Sequence, residues 1–208
     1  SMVANGELET LTAERIWLEC EKSLSDGAFA EFLNVLFDIK GLHVISPSLE
    51  KQWDSALYRT LQARFNYAQQ RGITNTALLF SQVTLSLSEE AIKTLAQKIR
   101  LPNEVRDLAL NAQAHRQTLC ANQLDSNAVL SCFNQLDLWR RPERFEQVLE
   151  ALEISEQKPL NFANELEQAA KQVRAVNPQQ FIAQGIKGAD IKTALEKARL
   201  KIIQRYFS

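Results

Sequence analysis

The sequence predicts an all-α fold, and three observations carry that prediction. Apolar residues recur at helical spacing along most of the chain, and the breaks between the runs are of helix-capping type. The 6 glycines and 5 prolines among 208 residues leave too few turns for the many short strands of a sandwich. A composition 45% hydrophobic and 24% charged supplies one large core or two small ones.

Leu11, Ile16 and Leu18, then Phe29, Phe32, Leu33, Leu36 and Phe37, mark two helices separated at Ser25-Asp26-Gly27, with Thr12 placed to cap the first. Residues 41–47 break the pattern. Ser46 before Pro47 then opens a helix, because a proline at the first helical position lacks only an N–H that would have no partner anyway. Residues 53–70 read as helix, ending before Arg71-Gly72. The apolar run at 76–80 is too short for periodicity to type, and its neighbours assign it to helix. Ser86 or Ser88 caps a helix through Arg100, with Glu89 three residues after Ser86 as in a capping box. Pro102 opens a helix through Cys120, and Asp125 starts another over 127–138 with the stripe Val129, Leu130, Cys132, Phe133 and Leu136. Pro142 precedes a helix at 145–152, and Pro159-Leu160-Asn161 divides it from 162–176. Asn177-Pro178-Gln179-Gln180 combines cap, proline and glutamine into a strong start signal, and Gly188 precedes a last helix over 189–206. The total is about ten helices with short connections and no internal repeat.

Lys plus Arg (24) nearly balances Asp plus Glu (25), so the whole molecule has no strong field for nucleic acid or an anionic membrane. Binding of either kind requires a local patch, and two are present. Arg140, Arg141 and Arg144 flank Trp139: guanidinium forks match phosphate oxygens, and the indole can stack on a base. Against this, Trp139 can simply close the core while the arginines pair with Asp137, Glu143 and Glu146. The last helix sets Lys187, Lys192, Lys197, Arg199, Lys201 and Arg205 against only Asp190 and Glu196. Its apolar side, Ile191, Leu195, Ala198, Ile202 and Ile203, suits a helix laid on protein with its far face on RNA, a membrane-surface helix, or an ordinary closing helix with a solvated lysine face.

Cys20, Cys120 and Cys132 form no CxxC pair, so reduced thiols in a cytoplasmic protein are expected. No apolar run approaches the ~20 residues that span a bilayer, which predicts no membrane partner. Ser1 ahead of Met2 leads us to expect a piece cut from a longer chain. His43 and His115 have no second histidine or paired aspartate within helical reach, so no metal site is expected, and His115 reads as an exposed helical residue without an activating partner.

Several motifs resemble the class II tRNA nucleotidyltransferases, the CCA-adding enzymes of bacteria. They are the run of residues 101–108, LPNEVRDL; the run of residues 137–144, DLWRRPER; and the run of residues 185–191, GIKGADI, leading into the basic last helix. The run of residues 11–19, LTAERIWLE, is similar to the neck motif of the same family. The resemblance implies neck helices over 1–45, a body derived from an HD phosphohydrolase over 46–125, and a C-terminal body and tail that contacts tRNA over 126–208. It also implies a catalytic head elsewhere in the whole protein, which adds CTP and ATP with Mg²⁺ and whose Gly-Ser and Asp-x-Asp motifs do not occur in this chain. Within the neck motif, Glu14, Arg15 and Glu19 steady the helix against that head, Arg15 and Glu19 being spaced for an i,i+4 pair.

In the span matching the HD site, Trp53-Asp54-Ser55 and Ser81-Gln82 stand where histidine and aspartate ligands would fall, so we expect no phosphohydrolase activity and no metal in this chain. The implied partner is the acceptor stem and elbow of tRNA. The competing readings are a non-catalytic helical interaction domain, a homodimer among its forms, and the helical part of a poly(A) polymerase.

Overall fold

A computed structural model describes the backbone of residues 2–207 and the side chains of residues 12–207; the side chain of Leu11 lies outside the described residues. Thirteen helices and no strand occur among the described residues: α1 (Met2–Ser25), α2 (Phe29–Asp38), α3 (Leu42–Ile45), α4 (Pro47–Gln52), α5 (Ser55–Gln70), α6 (Thr76–Thr84), α7 (Glu89–Lys98), α8 (Asn103–Leu119), α9 (Ser126–Gln135), α10 (Pro142–Glu156), α11 (Ala163–Arg174), α12 (Gln179–Ala183) and α13 (Ala189–Ile203). None of these helices is long and apolar enough to cross a membrane. The chain forms two compact units, one of residues 1–114 with 150–158, the other of residues 115–149 with 159–208.

Five helix starts share a single chemistry. Ser46, Asp54, Asn75, Ser88 and Asp125 each accept a hydrogen bond from the backbone N–H three residues on, at 2.7–3.1 Å. Each such cap contributes about 1 kcal/mol by satisfying an N–H that the helix leaves without a partner. Ser88, not Ser86, caps α7. Two sequence expectations change here. Thr12 is no cap, because α1 runs straight through it. The helix read over 53–70 begins at Ser55, where Asp54 caps it and the extended backbone of Trp53 separates it from α4.

Helix ends explain why so few glycines suffice. The left-handed residue that closes a helix is usually glycine, yet Lys40, Arg100, Asp137 and Gln157 take it here with φ between 52° and 60°. Each is followed by a backbone N–H bonded five residues back: Gly41 to Leu36, Leu101 to Ala96, Leu138 to Phe133 and Lys158 to Glu153.

The first unit packs α1, α2, α5 and α6 around an aromatic cluster. Trp17 meets the Phe80 ring edge-on at 5.6 Å, and Phe29 lies 6.0 Å from Phe80 and 6.2 Å from Phe65. Helix α6 is buried from Ala77 to Thr84, polar residues included, which is why its sequence shows no face. Its hydroxyls are satisfied locally, Ser81 Oγ donating to Leu78 O and Thr84 Oγ1 to Ser81 O. Gln82 Nε2 donates to Ala151 O at 2.9 Å, and the buried Arg64 donates through Nη1 to Gln82 O at 2.9 Å. Tyr67 completes this side with a 3.0 Å bond from its hydroxyl to Glu153 Oε1.

The second unit closes around α9, α11 and α13. Phe133 and Phe145 meet edge-to-face at 5.1 Å, and Phe162 meets Phe207 the same way at 5.9 Å. Ser126 Oγ donates to Phe207 O and so fixes the chain after α13 to the start of α9.

Candidate nucleic-acid interface

The turn carrying the arginine cluster is built by the end of α9. Leu138 N–H bonds Phe133 O and Asp137 N–H bonds Asn134 O, which puts Asp137 in the left-handed region at φ 53°, a conformation aspartate tolerates better than most residues. The carbonyl of Asp137 then accepts from Arg140 and Arg141 N–H, and its carboxylate accepts from Arg140 Nε at 2.8 Å. Arg140 is therefore exposed (84% of its side chain) but locally neutralised. Arg141 is exposed and Arg144 half-buried.

Trp139 does not project as a free stacking surface. Its Nε1 donates to Asn134 Oδ1 at 3.1 Å, and the guanidinium of Arg199, from α13, lies 3.5 Å above its ring centroid. The two basic clusters, 60 residues apart in sequence, meet at this one contact. Such a cation–π contact contributes about 0.5–1 kcal/mol where it is partly solvated. Arg199 Nε is buried with no hydrogen-bond partner, a loss of about 1–3 kcal/mol. The stack thus does not add net stability. Burial also pulls the Arg199 guanidinium below its ordinary pKa, with Glu196 acting in the opposite direction.

Helix α13 sorts the remaining cations. Lys197 and Lys201 lie on α13 on the side away from the buried Ile203, Arg205 follows in the turn after the helix, and all three are exposed. Lys187 and Lys192 are exposed near the helix start, beside the exposed Asp190. The nine predicted RNA-binding cations therefore split into the exposed pair Lys187 and Lys192, an outward row of Lys197, Lys201 and Arg205, the arginine turn of Arg140, Arg141 and Arg144 in which Asp137 binds Arg140, and the stacked guanidinium of Arg199. Nothing local in the sequence distinguishes Arg199 from Lys197, since only the tertiary contact to Trp139 does so.

In α1 the buried stripe is Ala13, Trp17, Cys20 and Leu24. Glu14, Arg15 and Glu19 lie off it, exposed, and no ion pair joins them among the described residues. Burial, with Glu19 and Glu21 adding to it, pushes the Cys20 thiol up to about 12, so it is unreactive at neutral pH.

His43 Nδ1 lies 2.7 Å from Glu50 Oε2 on the surface. His115 is not the exposed residue expected, since only 5% of it is accessible. Desolvation holds its imidazole below the ordinary value of 6.5. The folded state prefers the neutral ring, so the histidine's contribution is complete above pH 6.5 and is lost as pH falls through the depressed folded value. Urea midpoints taken from about pH 7 down to about pH 5 are expected to fall more steeply for the unaltered protein than for His115→Gln.

In the span that the resemblance aligned with an HD site, Asp54 serves as a helix cap and Gln82 as a core anchor. No group of three or more His, Cys, Asp or Glu is gathered to hold a metal ion among the described residues.

The curated relatives that match the chain carry closely related names. The chain is 32% identical to a multifunctional CCA protein of Vibrio cholerae over 98% of its own length and 59% of the relative's. It is 29% identical to a CCA-adding enzyme of Alteromonas mediterranea over 98% of itself and 58% of that protein, and 30% identical to a CCA-adding enzyme of Pseudomonas putida over 99% and 55%. The Vibrio alignment runs over 239 positions, longer than the 208-residue chain, so that relative carries insertions. No family profile matches the chain, and no solved structure does. Along nearly all of its length the chain is thus a homologue of proteins named CCA-adding enzyme or multifunctional CCA protein, and it spans between 55% and 59% of the length of these relatives.

Proposed function

We propose that this chain is the RNA-holding neck, body and tail of a cytoplasmic tRNA nucleotidyltransferase. It grips the acceptor stem and elbow of tRNA while the remaining part of the whole protein adds CTP and ATP with Mg²⁺. The observation that carries the reading is the end-to-end likeness to CCA-adding enzymes, supported by the outward cation row of α13. A-form duplex offers side chains little base readout, so shape and phosphate contacts supply the grip.

The test is filter binding of tRNA at ~50 and ~200 mM salt, followed by incubation with labelled CTP. Salt-sensitive retention of tRNA without CMP incorporation is expected. Incorporation by the chain alone would remove the division of labour. A second reading, a helical interaction or dimerisation domain, is favoured by one observation: Leu18, Val35, Ile39 and Val44 are each more than half exposed. Absent or salt-insensitive tRNA retention, together with a dimer in sedimentation, would decide for it.

A further inference from the structure

We propose that Arg199, laid flat on Trp139, is a preset grip for a backbone phosphate of RNA, with Trp139 as its positioning residue. The inference deepens the RNA-holding reading and rests on it.

Arg199 is stacked at 3.5 Å but makes no ion pair among the described residues, whereas Arg140 is bound by Asp137. Its Nη donors form no hydrogen bond among the described residues and are not buried, in contrast to its Nε. A guanidinium held in this way keeps its outer donors for a ligand. It has also already lost the freedom that binding would otherwise remove, which is the advantage of a pre-organised fork over a mobile lysine. A planar fork of donors matches the paired oxygens of a carboxylate or a phosphate, and the one that RNA carries is the phosphodiester. The indole face that Arg199 covers is closed to a nucleobase, so Trp139 acts through Arg199. Asn134 fixes the indole in turn through the 3.1 Å bond to Nε1.

The experiment is tRNA binding by the full 208-residue chain across a salt series. For Arg199→Gln we expect an affinity about tenfold lower and a slope of log affinity against log salt smaller by ~0.9, the signature of one phosphate no longer neutralised. Trp139→Leu keeps the charge, so the slope should stay while affinity falls about two- to fivefold. Arg199→Lys should likewise keep the slope and lose affinity.

A wild-type slope and affinity for Arg199→Gln, in a chain that binds tRNA, would overturn the grip and leave the RNA-holding reading standing. No tRNA binding by the unaltered chain would overturn both. Should Arg199→Gln fail to unfold cooperatively, Trp139→Leu and Arg199→Lys decide the matter. Wild-type affinity in both would overturn the proposal.

Discussion

Phe133→Ala is expected to destabilise the second unit by about 3–5 kcal/mol, the cost of removing a fully buried aromatic and leaving a cavity. Phe133 is 0% exposed and meets Phe145 edge-to-face at 5.1 Å, so the truncation removes both its own burial and the ring contact. Its backbone carbonyl also holds Leu138 N–H in the turn that leads to Trp139. A shift of this core therefore reaches the arginine turn. Urea unfolding followed by circular dichroism measures the loss. Phe133→Leu, which keeps most of the volume, should lose less. An unchanged midpoint for the alanine variant would show that Phe133 is not the centre of this core.

Reversing the outward row of α13 and the turn after it, with Lys197→Glu, Lys201→Glu and Arg205→Glu together, is expected to weaken tRNA binding by about a hundredfold or more and to lower the salt slope by roughly 2.7, close to 0.9 for each lost phosphate contact. All three residues are exposed, so thermal stability should change little for each substitution, within about 0.5 kcal/mol. Filter binding with a melting curve on the same sample separates the two effects. Unchanged affinity in a folded triple variant would reduce the row to a solvated lysine face.

The fold was legible where local chemistry decides it. Ser46-Pro47, Asp125 and Gly188 each mark a helix start that the structure places within a residue or two. Asp54 is of capping type, but the helical pattern on both sides hid the break at Trp53, and the sequence reads as helix from residue 53. Two features were not readable. Helix α6 is surrounded on all sides, so its residues carry no polar face to betray a period. His115 sits between Ala114 and Arg116 like a surface residue, and only packing buries it. At the interface, residue types announced the two basic clusters, while their meeting at Trp139 and Arg199 depends on a contact 60 residues apart. No spacing rule encodes a contact of that kind.

The first unit is completed by residues 150–158, whose Ala151 carbonyl receives Gln82 and whose Glu153 receives Tyr67. A ribosome making this protein reaches residue 114 and must then deliver the 35 residues of 115–149, which belong to the other unit, before these partners emerge. At ~5–20 residues per second the wait is roughly 2–7 s. Throughout it the hydroxyl of Tyr67 lacks Glu153, and the amide of Gln82 lacks Ala151 and keeps only its 3.3 Å contacts to Leu78 O and Ser81 Oγ in its own helix. Nascent chains halted shortly after residue 114 should therefore hold the early helices in a loose, protease-sensitive form, and no single cut in the gene can free either half as a finished object.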